Sequence, residues 1–220
     1  MYRALFLILF VFSFGHATWP SVARSQSPAN ESRKKITQVK PARKHNKSDT
    51  VGVVNGVVIT YGDFMSIMSG YLKAFVARSK DNLVSDSLYT VIVDSSWRRA
   101  VSDVLIEQEI RKRKLSMTDA DVKAALIDNP PDYLRTQFTD SLGVLHKDIV
   151  KRALNDPASD SIVSVIVMGE RIRLETDRLL ASIAEKSHTP NDRDRAFEAW
   201  LRKTMAASKI VDRRTTFGFY

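Results

Sequence analysis

Apolar side chains follow three different rhythms along the chain, and each predicts a different kind of element. Residues 4–14 (ALFLILFVFSF) form one unbroken apolar run. From residue 51 the pattern changes to two short β-branched runs, 51–54 and 57–59, on either side of Asn55-Gly56. Both residues of an Asn-Gly pair tolerate positive φ, which suits a type I′ turn, so a hairpin is predicted over 51–59. Two strands this short are not stable alone, and the run 209–213 (KIVDR) at the far end of the chain is the expected partner. The rhythm then becomes helical. Phe64, Ile67, Met68, Tyr71, Leu72, Phe75 and Val76 recur at steps of three and one, which is a single helical face. Thr60 with Asp63 supplies its capped start.

A second helix is predicted over about 87–115, with Trp97, Val101, Val104, Leu105 and Gln108 on one face. Glu107 with Arg111 and Glu109 with Arg113 are i,i+4 pairs in the favourable order. Taken alone, the basic run 111–114 reads as a nucleic-acid patch. Its place at a helix C-terminus, where positive charge suits the dipole, favours a solvated helix end. Thr118 with Asp121 opens a short helix that Asn129-Pro130-Pro131 closes. Pro131 can occupy the first position of another helix, carrying Tyr133, Leu134 and Phe138. Gly143 ends it, and 146–154 is one more short helix.

Asp156-Pro157 opens what reads as the longest element, running to about Lys186. Ile162, Gly169, Thr176 and Ile183 are seven apart, as are Val165, Ile172 and Leu179. Gly169 and Thr176 spoil a coiled-coil seam, so one face packed within its own domain is expected. Residues 162–168 are β-branched enough to pass for a strand. A last helix, 190–207, is capped by Thr189 and carries Phe197, Trp200, Leu201 and Met205 on one face. The expected fold is therefore mainly α: a multi-helix domain with a small antiparallel sheet. That sheet pairs the N-terminal hairpin, about 51–59, with a C-terminal strand, about 208–213.

The leading apolar run is too short for a membrane span, which needs about 18 residues or more. With Arg3 ahead of it and small residues behind, residues 1–23 read as a secretory signal peptide. Cleavage is expected after Ala17 or Ala23, and the Trp19-Pro20 turn favours the second; retention as an anchor is the alternative. The formal charge of +9 is uneven. Eight Lys/Arg against Glu31 and Asp49 place +6 within 24–50, and Arg3 adds one, which leaves +2 for 51–220. Residues 24–50 hold few large apolar groups and are expected to be a disordered basic linker. This tail is either a solvated spacer or a weak contact for anionic membrane or envelope polymers. A near-neutral folded part, 51–220, gives no reason to expect a nucleic-acid partner.

There is no cysteine, which removes disulfides, thiol catalysis and Cys-based zinc sites together. His16, His45, His146 and His188 are scattered, with no metal-ligand spacing. Nucleophile-elbow, phosphate-loop and dinucleotide motifs are all missing, so no metal, cofactor or catalytic activity is expected. What remains is apolar surface chemistry. Phe64, Met65, Met68, Tyr71 and Phe75 form a pliable, aromatic-rich set suited to binding varied peptides, with Tyr133 and Phe138 as further candidates. The regular period assigns Phe64, Ile67, Tyr71, Leu72 and Phe75 equally well, or better, to a plain core. Met65 lies off that face and is the better candidate for exposure.

Several stretches occur in a familiar order. Residues 53–60 (VVNGVVIT) lead into an amphipathic helix, and 105–110 (LIEQEI) lie on the second helix. Residues 114–122 (KLSMTDADV) form the next junction, followed by 137–143 (QFTDSLG) and the closing 206–212 (AASKIVD). Together they resemble the chaperone domain of the periplasmic SurA and PpiC/PrsA foldases across about 51–220. Lys114 stands where that family commonly has glycine. The family's parvulin prolyl-isomerase module is also missing, with only Ser187-His188-Thr189-Pro190-Asn191 at the point where it is usually inserted. The resemblance implies an exported, ATP-independent holdase that binds unfolded or partly folded envelope or secreted polypeptides. Its location would be periplasmic or otherwise extracytoplasmic, and isomerase activity is not expected. A non-catalytic envelope adaptor is the alternative, and a divergent prolyl isomerase the third reading.

Overall fold

Asn55 and Gly56 adopt φ of 49° and 86°, the positive pair that the hairpin turn requires. In the computed structural model, which describes residues 45–77, 84–185, 187 and 189–220, this turn joins β1 (Thr50–Val54) to β2 (Val57–Thr60). β3 (Ile210–Asp212) pairs antiparallel with β1, so the sheet order is β2-β1-β3. The signal peptide expected over 1–23, and residues 24–44 of the linker expected over 24–50, lie outside the described residues. Structure begins upstream of the expected residue 51. Tyr61 and Gly62 donate backbone hydrogen bonds to the carbonyls of Asp49 and Lys47, and His45 packs its ring against Tyr61 and Phe217.

The register slips between Thr50 and Gly52, leaving Val51 as the extra residue of a bulge. Strict alternation would put Val51 on the same face as Val53; the bulge turns it into the core, where it is fully buried. Gly52 is held to glycine by close approach. A Cβ there would lie 2.2 Å from the Trp97 ring and 2.7 Å from the Val211 carbonyl oxygen.

Among the described residues, seven α-helices complete the fold. α1 (Tyr61–Val76) starts at Thr60, whose hydroxyl accepts from the Asp63 amide as expected. α2 (Asp86–Lys112) is followed by α3 (Asp119–Asp128), which a full capping box between Thr118 and Asp121 opens. α4 (Asp132–Phe138), α5 (Lys147–Ala153), α6 (Asp160–Ile183) and α7 (Pro190–Ala207) follow. Pro131 is the N-cap of α4 rather than its first residue. The longest helix among the described residues is α2, at 27 residues against 24 for α6, where the longest element was expected. Asp156 accepts from the Ala158 amide and winds Pro157–Ser159 into a 3₁₀ turn, which takes the first turn from α6. The β-branched run 162–168 is helical, because its buried positions, Val163 and Val167, continue four and three residues apart to Glu170 and the half-buried Leu174. The expected heptad does not define that face, since Ile162 is 65% exposed.

The chain divides into two compact units, one of the described residues up to Leu105 together with Leu201–Tyr220, the other of Ile106–Trp200. In the first, Val51, Val54 and Ile59 of the sheet pack with Phe64 and Met68 of α1, Ile92, Val93, Val101 and Leu105 of α2, and Phe219. In the second, Met117, Val122 and Leu126 pack with Leu134, Val150, Leu154, Val163 and Val167.

Candidate functional site

A helix buries one stripe and leaves the rest to solvent, so the candidates on α1 separate by angle. Phe64 and Met68 are core residues, and Phe64 meets the Phe219 ring edge-on at 4.9 Å. Met65 and Phe75 are half-buried against the same core. Tyr71, whose spacing favoured the core, is 38% exposed. It lies beside Ser95, Arg98, Arg99 and Ser102 of α2, and burial of the rest of the side chain pushes its phenol pKa up. Tyr133 and Phe138 belong to the second unit. Phe138 packs on that unit's core, while Tyr133 is partly exposed and donates to the buried Glu170 carboxylate at 3.4 Å. Burial and the Glu170 charge push the Tyr133 phenol up to about 12.

The most exposed large apolar group among the described residues is one that periodicity did not single out. Leu142, 86% exposed, sits at the tip of the loop between α4 and α5, beside Val144. The loop is held from within. Asp140 accepts from the Leu142 and Val144 amides, both at 2.9 Å, and its other oxygen lies 3.1 Å from the His146 ring. These bonds, the Val144 amide first, hold the Asp140 carboxyl below its usual range. Thr139 bridges Leu145 across the base, and Gly143 takes φ 79° at the turn. An apolar knob fixed in this way loses little conformational entropy on meeting a partner. Ile149 of α5 and Ile162 and Val165 of α6 are further exposed apolar groups of the same unit.

In the first unit, the outward face of the sheet carries another apolar row. Val58, Val53 and Val211 lie side by side across β2, β1 and β3. Val58 and Val211 are exposed, and Val53 is half-buried. Residue pattern signals these groups weakly. Leu142 and Val144 flank a turn glycine and have no periodic partners, and Val211 reads as one more residue of a closing strand.

Among the described residues no group of three or more His, Asp or Glu is placed to hold a metal ion. None of the described helices is long and apolar enough to cross a membrane. Three of the titratable groups with displaced pKa values, Asp94, Arg214 and Tyr220, form one cluster at the end of the chain. Arg214, largely buried, bonds Asp212 through two nitrogens and Asp94 at 2.8 Å, with its guanidinium over the Trp97 and Tyr220 rings. Tyr220 also donates to Asp94. This clasp ties the last residues to α2.

Residues 3–154 match the family model of the SurA-like N-terminal domain. No curated protein and no solved structure matches the chain. The matched span takes in the hairpin, α1 to α5 and the Leu142 loop. β3 lies beyond it, joined to the matched part through its pairing with β1.

Proposed function

The chain belongs to the family of SurA-like N-terminal domains, a chaperone family typically found outside the cytoplasm, and on that premise we propose that it is an exported, ATP-independent holdase for unfolded envelope or secreted proteins. The observation that carries this reading is the rigid presentation of Leu142, a large apolar side chain left in solvent on a loop that Asp140 locks. Burying one such side chain is worth about 1.5–3 kcal/mol before the cost of association. Binding through a few of them is therefore weak and reversible, which suits capture and release without ATP.

Residues 1–23 serve as the export signal in this reading, and the basic stretch behind them is a spacer or a weak contact for anionic envelope surfaces. No isomerase activity is expected: α6 ends at Ile183 and α7 begins at Pro190, at the point where relatives with a parvulin module carry it. Measurable turnover in a proline-peptide isomerisation assay overturns that part. The decisive experiment is suppression of aggregation. The purified protein is expected to keep a urea-denatured outer-membrane protein soluble after dilution, and failure at several-fold molar excess refutes the holdase reading. A non-catalytic envelope adaptor is the second reading. The flat valine row of the sheet favours it, since a fixed surface suits a folded partner. Recovery of one stoichiometric folded partner instead of many unfolded ones selects that alternative.

A further inference from the structure

Ser95, Arg98, Arg99 and Ser102 recur at steps of three, one and three, so α2 turns all four to one side. With Tyr71 of α1 they line an open depression of about 250 Å³ within the first unit. Its polar groups are unevenly committed. The Ser102 hydroxyl turns back onto the carbonyl of Arg98 at 2.7 Å. Arg99 is tied to Asp103 at 2.8 Å. Among the described residues, the Tyr71 hydroxyl, the Ser95 hydroxyl and the Arg98 guanidinium have no such hydrogen-bond partner. Both carboxylates nearby are engaged, Asp103 by Arg99 and Asp94 by Arg214 and Tyr220. The depression therefore offers the Tyr71, Ser95 and Arg98 donors beside an exposed aromatic ring, with the Asp94 charge acting on Arg98 and the Asp103 charge on Tyr71 from outside its lining.

We propose that this depression is a carboxylate-binding subsite, in which Arg98, Ser95 and Tyr71 take a carboxylate of a bound polypeptide, either its C-terminus or an Asp or Glu side chain. The raised pKa of Tyr71 keeps its hydroxyl a donor through neutral and mildly alkaline pH. Arg98 supplies a planar fork that can meet both carboxylate oxygens. The Tyr71 ring gives apolar contact to the residue bearing the acid. This inference deepens the holdase reading and rests on it for the identity of the ligand, while the site itself can be tested with small probes.

The test follows the backbone amides of Ser95, Arg98 and Tyr71 by NMR as N-acetyl-tyrosine, a free carboxylate, is added to the purified protein, with N-acetyl-tyrosinamide as the uncharged control. Saturable shifts with the acid, absent with the amide and lost in Arg98→Gln, are expected. Shifts absent, or equal for the two compounds, overturn the subsite. Ser95→Ala is a second variant, expected to weaken binding roughly two- to fivefold, as exposed charge-assisted contacts do. Peptides of one apolar sequence with a free C-terminus, an amidated C-terminus, or an amidated C-terminus and an internal glutamate separate the two sources of carboxylate. If the small acid saturates the site but no unfolded polypeptide binds the protein, the subsite stands and the holdase reading falls. Unfolded polypeptide bound without any change at these three residues has the opposite meaning.

Discussion

Lys114 shows how much a single φ angle decides. Its φ of 57° is left-handed, the Leu115 amide donates to the Ile110 carbonyl, and its own amide donates to that of Arg111. This is the left-handed position of a Schellman helix end, which favours glycine. Lys114→Gly is expected to raise unfolding free energy by about 1 kcal/mol in urea titrations. Gly52 is the opposite case. Gly52→Ala drives a Cβ into the Trp97 ring and is expected to cost about 2 kcal/mol by the same measurement. Titration at Asp94 and Tyr220 is also local. The Tyr220 hydroxyl and then Arg214 hold the Asp94 carboxyl below its ordinary value of 3.8, so its contribution is complete above that pH and fades as the pH falls below it. Burial and Asp94 raise Tyr220 from 10.0 to about 12, so its contribution is complete below pH 10 and fades as the pH rises towards 12. Tyr220→Phe is expected to flatten both limbs of a stability–pH profile; an unchanged profile overturns the assignment.

Elements defined by short-range chemistry were legible in the chain. The Asn55-Gly56 turn, the Thr60 and Thr118 caps and the Pro130-Pro131 stop each act within a few residues, and all four appear where the pattern places them. The α6 face was not legible, because Ile162 and Val163 are equally apolar and only the neighbouring α3 and α5 decide which is covered. The same reason hid Leu142, whose exposure depends on a loop path set by Asp140. Leu142→Ser is expected to leave stability within about 0.5 kcal/mol while weakening aggregation suppression. Asp140→Ala, which frees the loop but keeps the leucine, is expected to weaken suppression less than Leu142→Ser does. Equal suppression by both variants and the parent removes the loop from the binding surface.

At the scale of the whole molecule, the uneven charge distribution assigns the basicity to the tail rather than to the fold. The export proposal predicts that mass spectrometry of the secreted chain finds an N-terminus at Thr18 or Arg24; a full-length chain retained in the membrane fraction means an anchor instead. The chain by itself determined the class of the protein. Turn, cap and period signals are local, and they suffice for a mainly helical domain closed by a strand from its far end. Only the tertiary structure decided which apolar groups are core and which are surface. Phe64 and Tyr71 share a helix and a period, yet one is enclosed by Phe219 and Trp97 while the other opens towards Arg98. Burial depends on what stands opposite a side chain, and those residues lie far away in sequence.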